Sequence, residues 1–209
     1  MPVYAGGGPS QLISLRPPQF DQYGEYSLTA ITGTMAAGIA ANAEVFQFLW
    51  SAAAPPICIV KEVTMWAGNL GTAFAAGFFK FEMMAARAFT AAGTGGGTLT
   101  LTTNNGKLRT TMGTTAVGEV RVATTAALTA GTKTLDAQGL SSVGGGVPNV
   151  AGSMMINGTA KIFDGVGSNH PLVLVQNEGF IIRTTVPATG TWTAGFTVKY
   201  AEVTDYAVV

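Results

Sequence analysis

Pro171-Leu172-Val173-Leu174-Val175, the corner Gln176-Asn177-Glu178-Gly179, the run Phe180-Ile181-Ile182-Arg183-Thr184-Thr185-Val186 and the final Trp192-Thr193-Ala194-Gly195-Phe196-Thr197-Val198-Lys199-Tyr200-Ala201-Glu202-Val203 carry the architecture of this chain. In the last stretch Trp192, Ala194, Phe196, Val198 and Tyr200 alternate with Thr193, Gly195, Thr197, Lys199 and Ala201. Period-two alternation puts one set on each face of a strand. With a turn between Pro187 and Gly190, the block reads as consecutive antiparallel strands of a sandwich or barrel, and it carries almost no reactive chemistry.

Further upstream the same signals recur. Ile57 to Trp66 reads as a central strand, with Ile57, Ile59, Lys61, Val63 and Met65 on one face and Cys58, Val60, Glu62, Thr64 and Trp66 on the other. A strand is expected near 44–50, preceded by a loop and ended by Pro55-Pro56. Phe78 to Phe89 is divided: Phe78, Phe81, Ala85 and Ala88 fit a helix face, whereas Phe79, Phe81, Met83 and Ala85 fit a strand face. Gly77 before it and the turn residues of 90–97 after it favour the strand. Thr98 to Thr103 alternates, Asn104-Asn105-Gly106 supplies a hairpin turn, and Lys107 to Met112 is expected to return. Strands follow at 117–123 and 153–163, separated by a loop over 131–149 that holds Gly144-Gly145-Gly146. This spacing indicates an all-β fold, an antiparallel β-sandwich. Residues 1–24, with Gly6-Gly7-Gly8-Pro9 and Pro17-Pro18, read as an extended N-terminal arm, and 25–209 as a single β-sandwich domain.

The chain has 209 residues, of which 11% are charged, against a typical ~25%. A chain of this size buries roughly 70% of its unfolded surface. Lys plus Arg and Asp plus Glu are both 11, giving zero formal charge. So little charge with 47% hydrophobic residues implies a surface largely covered by other subunits. Disorder goes with the opposite composition. Without a Lys/Arg cluster, nucleic acid is not an expected partner. No apolar run reaches ~18 residues, so no transmembrane helix is expected, and Met1 to Ser10 shows no export signal.

The single histidine, His170, precedes Pro171 and reads as structural, because a triad or a zinc site needs further partners. The single cysteine, Cys58, lies in an apolar run and reads as a buried hydrophobe. The eleven acids, Asp21, Glu25, Glu44, Glu62, Glu82, Glu119, Asp136, Asp164, Glu178, Glu202 and Asp205, are scattered. Most are expected to be solvated or paired with Arg87, Arg109, Arg121 or Arg183. The glycine runs at 6–8, 93–97 and 144–146 do not match a phosphate loop, which needs G-x-x-x-x-G-K-[ST] before a helix. Asn157-Gly158-Thr159 is a formal glycosylation sequon without a secretion signal. No catalytic residue, metal ligand or cofactor is expected, and the protein reads as no enzyme.

Four stretches, Arg87-Ala88-Phe89-Thr90-Ala91-Ala92-Gly93-Thr94-Gly95-Gly96-Gly97-Thr98-Leu99-Thr100-Leu101, Asn104-Asn105-Gly106-Lys107-Leu108-Arg109-Thr110-Thr111-Met112, Arg121-Val122-Ala123-Thr124-Thr125-Ala126-Ala127-Leu128-Thr129-Ala130-Gly131, and Asn177-Glu178-Gly179-Phe180-Ile181-Ile182-Arg183, stand out. Together they resemble stretches of tailed-bacteriophage virion structural proteins. The resemblance implies a jelly-roll-like sandwich on the phage particle, of the capsid decoration (cement) type, and it supplies no functional residues. The expected partners are the major capsid protein and copies of the chain itself, as a trimer or higher. The expected location is the capsid surface of the virion, after synthesis in the host cytoplasm. The arm, residues 2–22, is expected to extend onto a neighbour, with Tyr4, Phe20, Tyr23 and Tyr26 as interface anchors. The alternatives are a tail or head-fibre component binding host glycan, a jelly-roll capsid protein, and, last, a carboxylate-dependent glycan hydrolase. A metal-dependent cupin-type enzyme would need a His cluster.

Overall fold

The computed structural model describes residues 24–36, 38–102, 106–152, 154–166 and 170–204. Its strands are β1 (Gly24–Ile31), β2 (Met35–Ala36), β3 (Ala43–Trp50), β4 (Ile57–Asn69), β5 (Gly77–Ala91), β6 (Gly97–Thr98), β7 (Glu119–Val122), β8 (Thr132–Leu135), β9 (Ser141–Val147), β10 (Met154–Asp164), β11 (Leu172–Leu174), β12 (Glu178–Thr185) and β13 (Thr191–Val203). They form two antiparallel sheets. The first runs β1-β13-β4-β10, with β11 also on β4 and β2 on β13. The second runs β6-β7-β3-β12-β5-β8, with β9 also on β5. Chain order therefore alternates between the sheets: 1-13-4-10 faces 3-12-5-9, two interleaved Greek keys that make a jelly roll.

The C-terminal block forms strands as expected, but successive strands are not neighbours. β11 pairs with β4 in the first sheet, β12 lies between β3 and β5 in the second, and β13 returns to the first between β1 and β4. The polar corner is the crossing point between sheets. Asn177 takes a left-handed φ of 62°, and its amide donates to the Trp50 carbonyl. The alternation of β13 holds: Trp192, Ala194, Phe196, Val198 and Tyr200 all enter the core. There they meet the second sheet through ring contacts, with Phe196 5.3 Å from Phe46, Trp192 5.7 Å from Phe81 and Tyr200 5.3 Å from Phe48. Such pairs add about 0.5–1.5 kcal/mol each beyond the area they bury.

β5 is a strand throughout, fixed by its register against β12 from Ala86↔Gly179 to Lys80↔Thr185. Phe79, Phe81 and Met83 point into the core, and Phe78, which a helix would have buried, is 59% exposed. The opposite face is also apolar. Met84, Ala86 and Phe89 join Leu49 and Ile181 in a second cluster on the outside of the second sheet, with Leu135 and Ala92 packed against it. Lys133 caps this cluster, with its ammonium 5.0 Å from the Phe89 ring centre and 2.8 Å from Glu44.

Three readings of the sequence are corrected. In β4 the two-face pattern breaks at Lys61, because Lys199 pairs with Glu62 and the next residue, Tyr200, with Val60. This bulge inserts one residue and flips the side chains beyond it. Cys58 and Val60 therefore share the core with Val63, Met65 and Ala67. The hairpin expected over 98–112 does not form. β6 ends at Thr98 against β7, while Gly106 and Leu108 hydrogen-bond the edge of β1 at Ser27 and Glu25. Competing edges of longer strands satisfy backbone groups that an isolated hairpin would leave to water. The expected loop over 131–149 contains β8 and β9, and Gly144-Gly145-Gly146 pair with Lys80, Phe79 and Phe78. Glycine has no side chain to show a period, so such a strand is silent in the pattern.

Candidate functional site

A concave feature of the surface lies on the outer face of the first sheet. It is an open cleft of about 260 Å³ lined by Glu25, Tyr26, Lys61, Glu62, Leu108, Lys161, Val166, Lys199 and Tyr200. The β4 bulge builds its floor by turning both Lys61 and Glu62 to this side. Lys61 pairs with Glu25 of β1. Glu62 lies between two lysines, 2.8 Å from Lys199 and 2.9 Å from Lys161, and Lys161 also reaches Asp164 at 2.9 Å. The result is a set of alternating charges across four strands, β1, β13, β4 and β10. Hydrogen bonds from Lys199 and Lys161 hold the Glu62 carboxyl below its usual value. Burial pulls the Lys61 ammonium, paired with the Glu25 carboxylate, down to about 8. Leu108 and Val166 rim the cleft at 58% and 55% exposure.

A second polar group lies inside the sandwich. Continuing the inward series of β13 past Tyr200 brings in Glu202, which is 2% exposed. Its carboxylate accepts from the Thr115 hydroxyl and from the Ala116 amide at 2.9 Å. The Val117 amide donates to the Thr115 oxygen at 3.2 Å, and the single Thr115 proton goes to Glu202, so the Tyr200 hydroxyl at 2.6 Å is the donor to Thr115. The Tyr26 hydroxyl donates to the Gly113 carbonyl at 3.1 Å. Together these bonds latch the segment 113–117 to the interior. Burial raises the Glu202 carboxyl above its usual value, and it pushes the Cys58 thiol up as well. A thiol so held is not a nucleophile.

Of the four aromatic residues expected as interface anchors, Tyr4, Phe20 and Tyr23 lie outside the described residues. Tyr26 is a core residue and not a surface anchor. It is 1% exposed, stacked on Tyr200 at 5.3 Å, because β1 alternation turns it inward with Leu28 and Ala30. Cys58 is buried, as its apolar run implies. His170 is exposed, and its Nδ1 lies 2.6 Å from the Pro171 carbonyl. Trp192 is buried, and the Trp66 indole lies over Gly195, where a Cβ would come within 2.2 Å of its Nε1.

Carboxylates do meet, but each meeting is bridged by a cation. Glu62 and Asp164 share Lys161, and Asp136 and Glu178 share Arg87. Arg121 and Arg183 pair with Glu119 and Glu82 as expected, whereas the lysine partners were not foreseen. Among the described residues no group of three or more His, Cys, Asp and Glu side chains is placed to hold a metal ion. The glycine-rich stretch 93–97 serves packing. Gln47, fully buried, accepts from the Gly93 amide and donates to Glu44 and the Thr129 carbonyl, and a Cβ on Gly93 would collide with that carbonyl. Two signals for the sites were present in the sequence: adjacent charges, Lys61-Glu62, inside an apolar strand, and Glu202 on the inward period of β13. Chemically, the arrangement is suited to holding loops in place. Comparison of the chain with family models, with curated proteins and with solved structures gives no match.

Proposed function

We propose that this chain is a non-enzymatic structural protein of a tailed-phage virion, a decoration (cement) protein that binds major capsid protein subunits and copies of itself and stabilises the head. The observation that carries the reading is the complete jelly-roll strand order around an aromatic core, an architecture used by viral capsid domains as well as by lectins and cupins. The four stretches that resemble phage virion proteins point the same way. So does a surface poor in charge that leaves Ile31, Phe78, Leu108, Val150 and Val166 more than half exposed. The titratable side chains brought together are spent on ion pairs and loop latches, which suits a scaffold.

The mechanism is multivalent burial. Each copy contributes a modest contact, and the symmetry of the shell multiplies it. The test is to add the purified protein to heads of the encoding phage assembled without it. Cosedimentation and a higher melting temperature of the heads are expected. A folded protein that neither sediments with the heads nor shifts their melting overturns the proposal.

A further inference from the structure

The cleft on the first sheet has a feature that its ion pairs do not explain: Leu108 and Val166 stand at its rim, both more than half exposed, above a floor of paired charges. At least 23 residues precede Gly24, the first residue of β1, and Gly24 adjoins the cleft wall at Glu25 and Tyr26. Those residues include the apolar group Leu12, Ile13 and Leu15, then Pro17-Pro18 and Phe20. From Gly24 back to Leu12 the chain spans up to about 40 Å at ~3.3–3.6 Å per residue. A domain of this size has a radius of gyration of ~16 Å, a diameter of about the same 40 Å. Fully extended, the chain is thus long enough for the apolar group to reach the same cleft on a neighbouring copy one molecule-width away.

We propose that the cleft seats residues 12–20 of a second copy, so that copies are linked by arm exchange. Leucine and isoleucine side chains cover Leu108 and Val166, and the segment 12–20, whose one charge is Arg16, leaves the floor ion pairs intact. Reciprocal exchange gives an isologous pair, whereas an arm passed head to tail is a heterologous contact that closes into rings when the rotation allows. The inference rests on the self-association within the proposed function and not on the capsid partner.

Cys58 is buried and is the only cysteine, so introduced thiols react alone. Full-length chains carrying Leu15→Cys and Val166→Cys are mixed and oxidised. The expected product is a mixed disulfide dimer, and the paired change Leu108→Asp with Val166→Asp is expected to reduce the native mass to that of one chain. Both rim residues are exposed, so these variants keep the fold, which circular dichroism checks. A wild-type chain that is monomeric, mixed chains that give no mixed dimer, or a Leu15→Cys/Val166→Cys double variant that links only within one chain each overturn arm exchange. Failure to bind heads with cross-linking intact overturns the capsid reading alone.

Discussion

Replacing Thr115 by valine tests the latch at the inner end of β13. The change keeps the shape of the side chain and removes one oxygen on which three groups converge: it accepts from Tyr200 and Val117 and donates to Glu202. Glu202 retains the Ala116 amide, while the Tyr200 hydroxyl and the Val117 amide lose a partner in the interior. A buried polar group left bare costs ~1–3 kcal/mol, so with partial relaxation the loss is about 3 kcal/mol. For a domain of this length each kcal/mol moves the melting temperature by ~2–4 °C, which makes the expected drop about 6–12 °C. The loss has a pH signature. Burial holds the Glu202 carboxyl above its ordinary value of 4.5. The stability tied to its neutral form is therefore full below the unfolded value and is lost as the pH rises through the folded one. Without the Thr115 donor the folded value climbs further, so the variant falls further behind wild type at pH 8 than at pH 5. Thermal denaturation at both values reads this directly. A drop below about 1 kcal/mol, or one equal at the two pH values, refutes the derived donor order.

Glu202→Gln keeps an acceptor for Thr115 and Ala116 and removes the buried charge, so it is expected to melt higher than wild type at pH 8 and to flatten the pH dependence; calorimetry across pH 5–8 checks it. Glu62→Gln is expected to lose up to about 1 kcal/mol at neutral pH. Because its lysine neighbours hold the Glu62 carboxyl low, that difference is present above the ordinary value of 4.5 and fades as acidification passes the folded value, as urea titrations at pH 7 and in acid would read. Gly195→Leu drives a side chain into the Trp66 indole and is expected to cost ~1–3 kcal/mol with a shift in tryptophan fluorescence. Ala88 has φ 47°, so Ala88→Gly is expected to stabilise by up to about 1 kcal/mol in the same denaturation assay.

Much of the framework was legible because alternation is local. The inward set of β13, the strand character of β5 against its helical rival, and the buried Cys58 all follow from side chains two apart and from the turn residues around them. Tyr26 was misread for want of the same test, since β1 alternates and puts it beside Leu28 and Ala30. β9 was missed because three glycines carry no period, and the 98–112 hairpin was overcalled because Asn-Gly chemistry says where a turn is allowed, not which edge will take the hydrogen bonds. The charged cleft was hidden by the bulge at Lys61, which turns adjacent residues to one side.

By itself the sequence determined an all-β sandwich poor in charge and reactive groups, because composition and period-two patterning act on each segment separately. Only the tertiary structure decided that consecutive strands cross between sheets into a jelly roll, that Glu202 is an interior latch, and that Glu25, Lys61, Glu62, Lys161 and Lys199 share one cleft. Strand pairing joins residues more than a hundred positions apart, and which partners meet is set by the global competition for hydrogen bonds and buried area, which no single segment records.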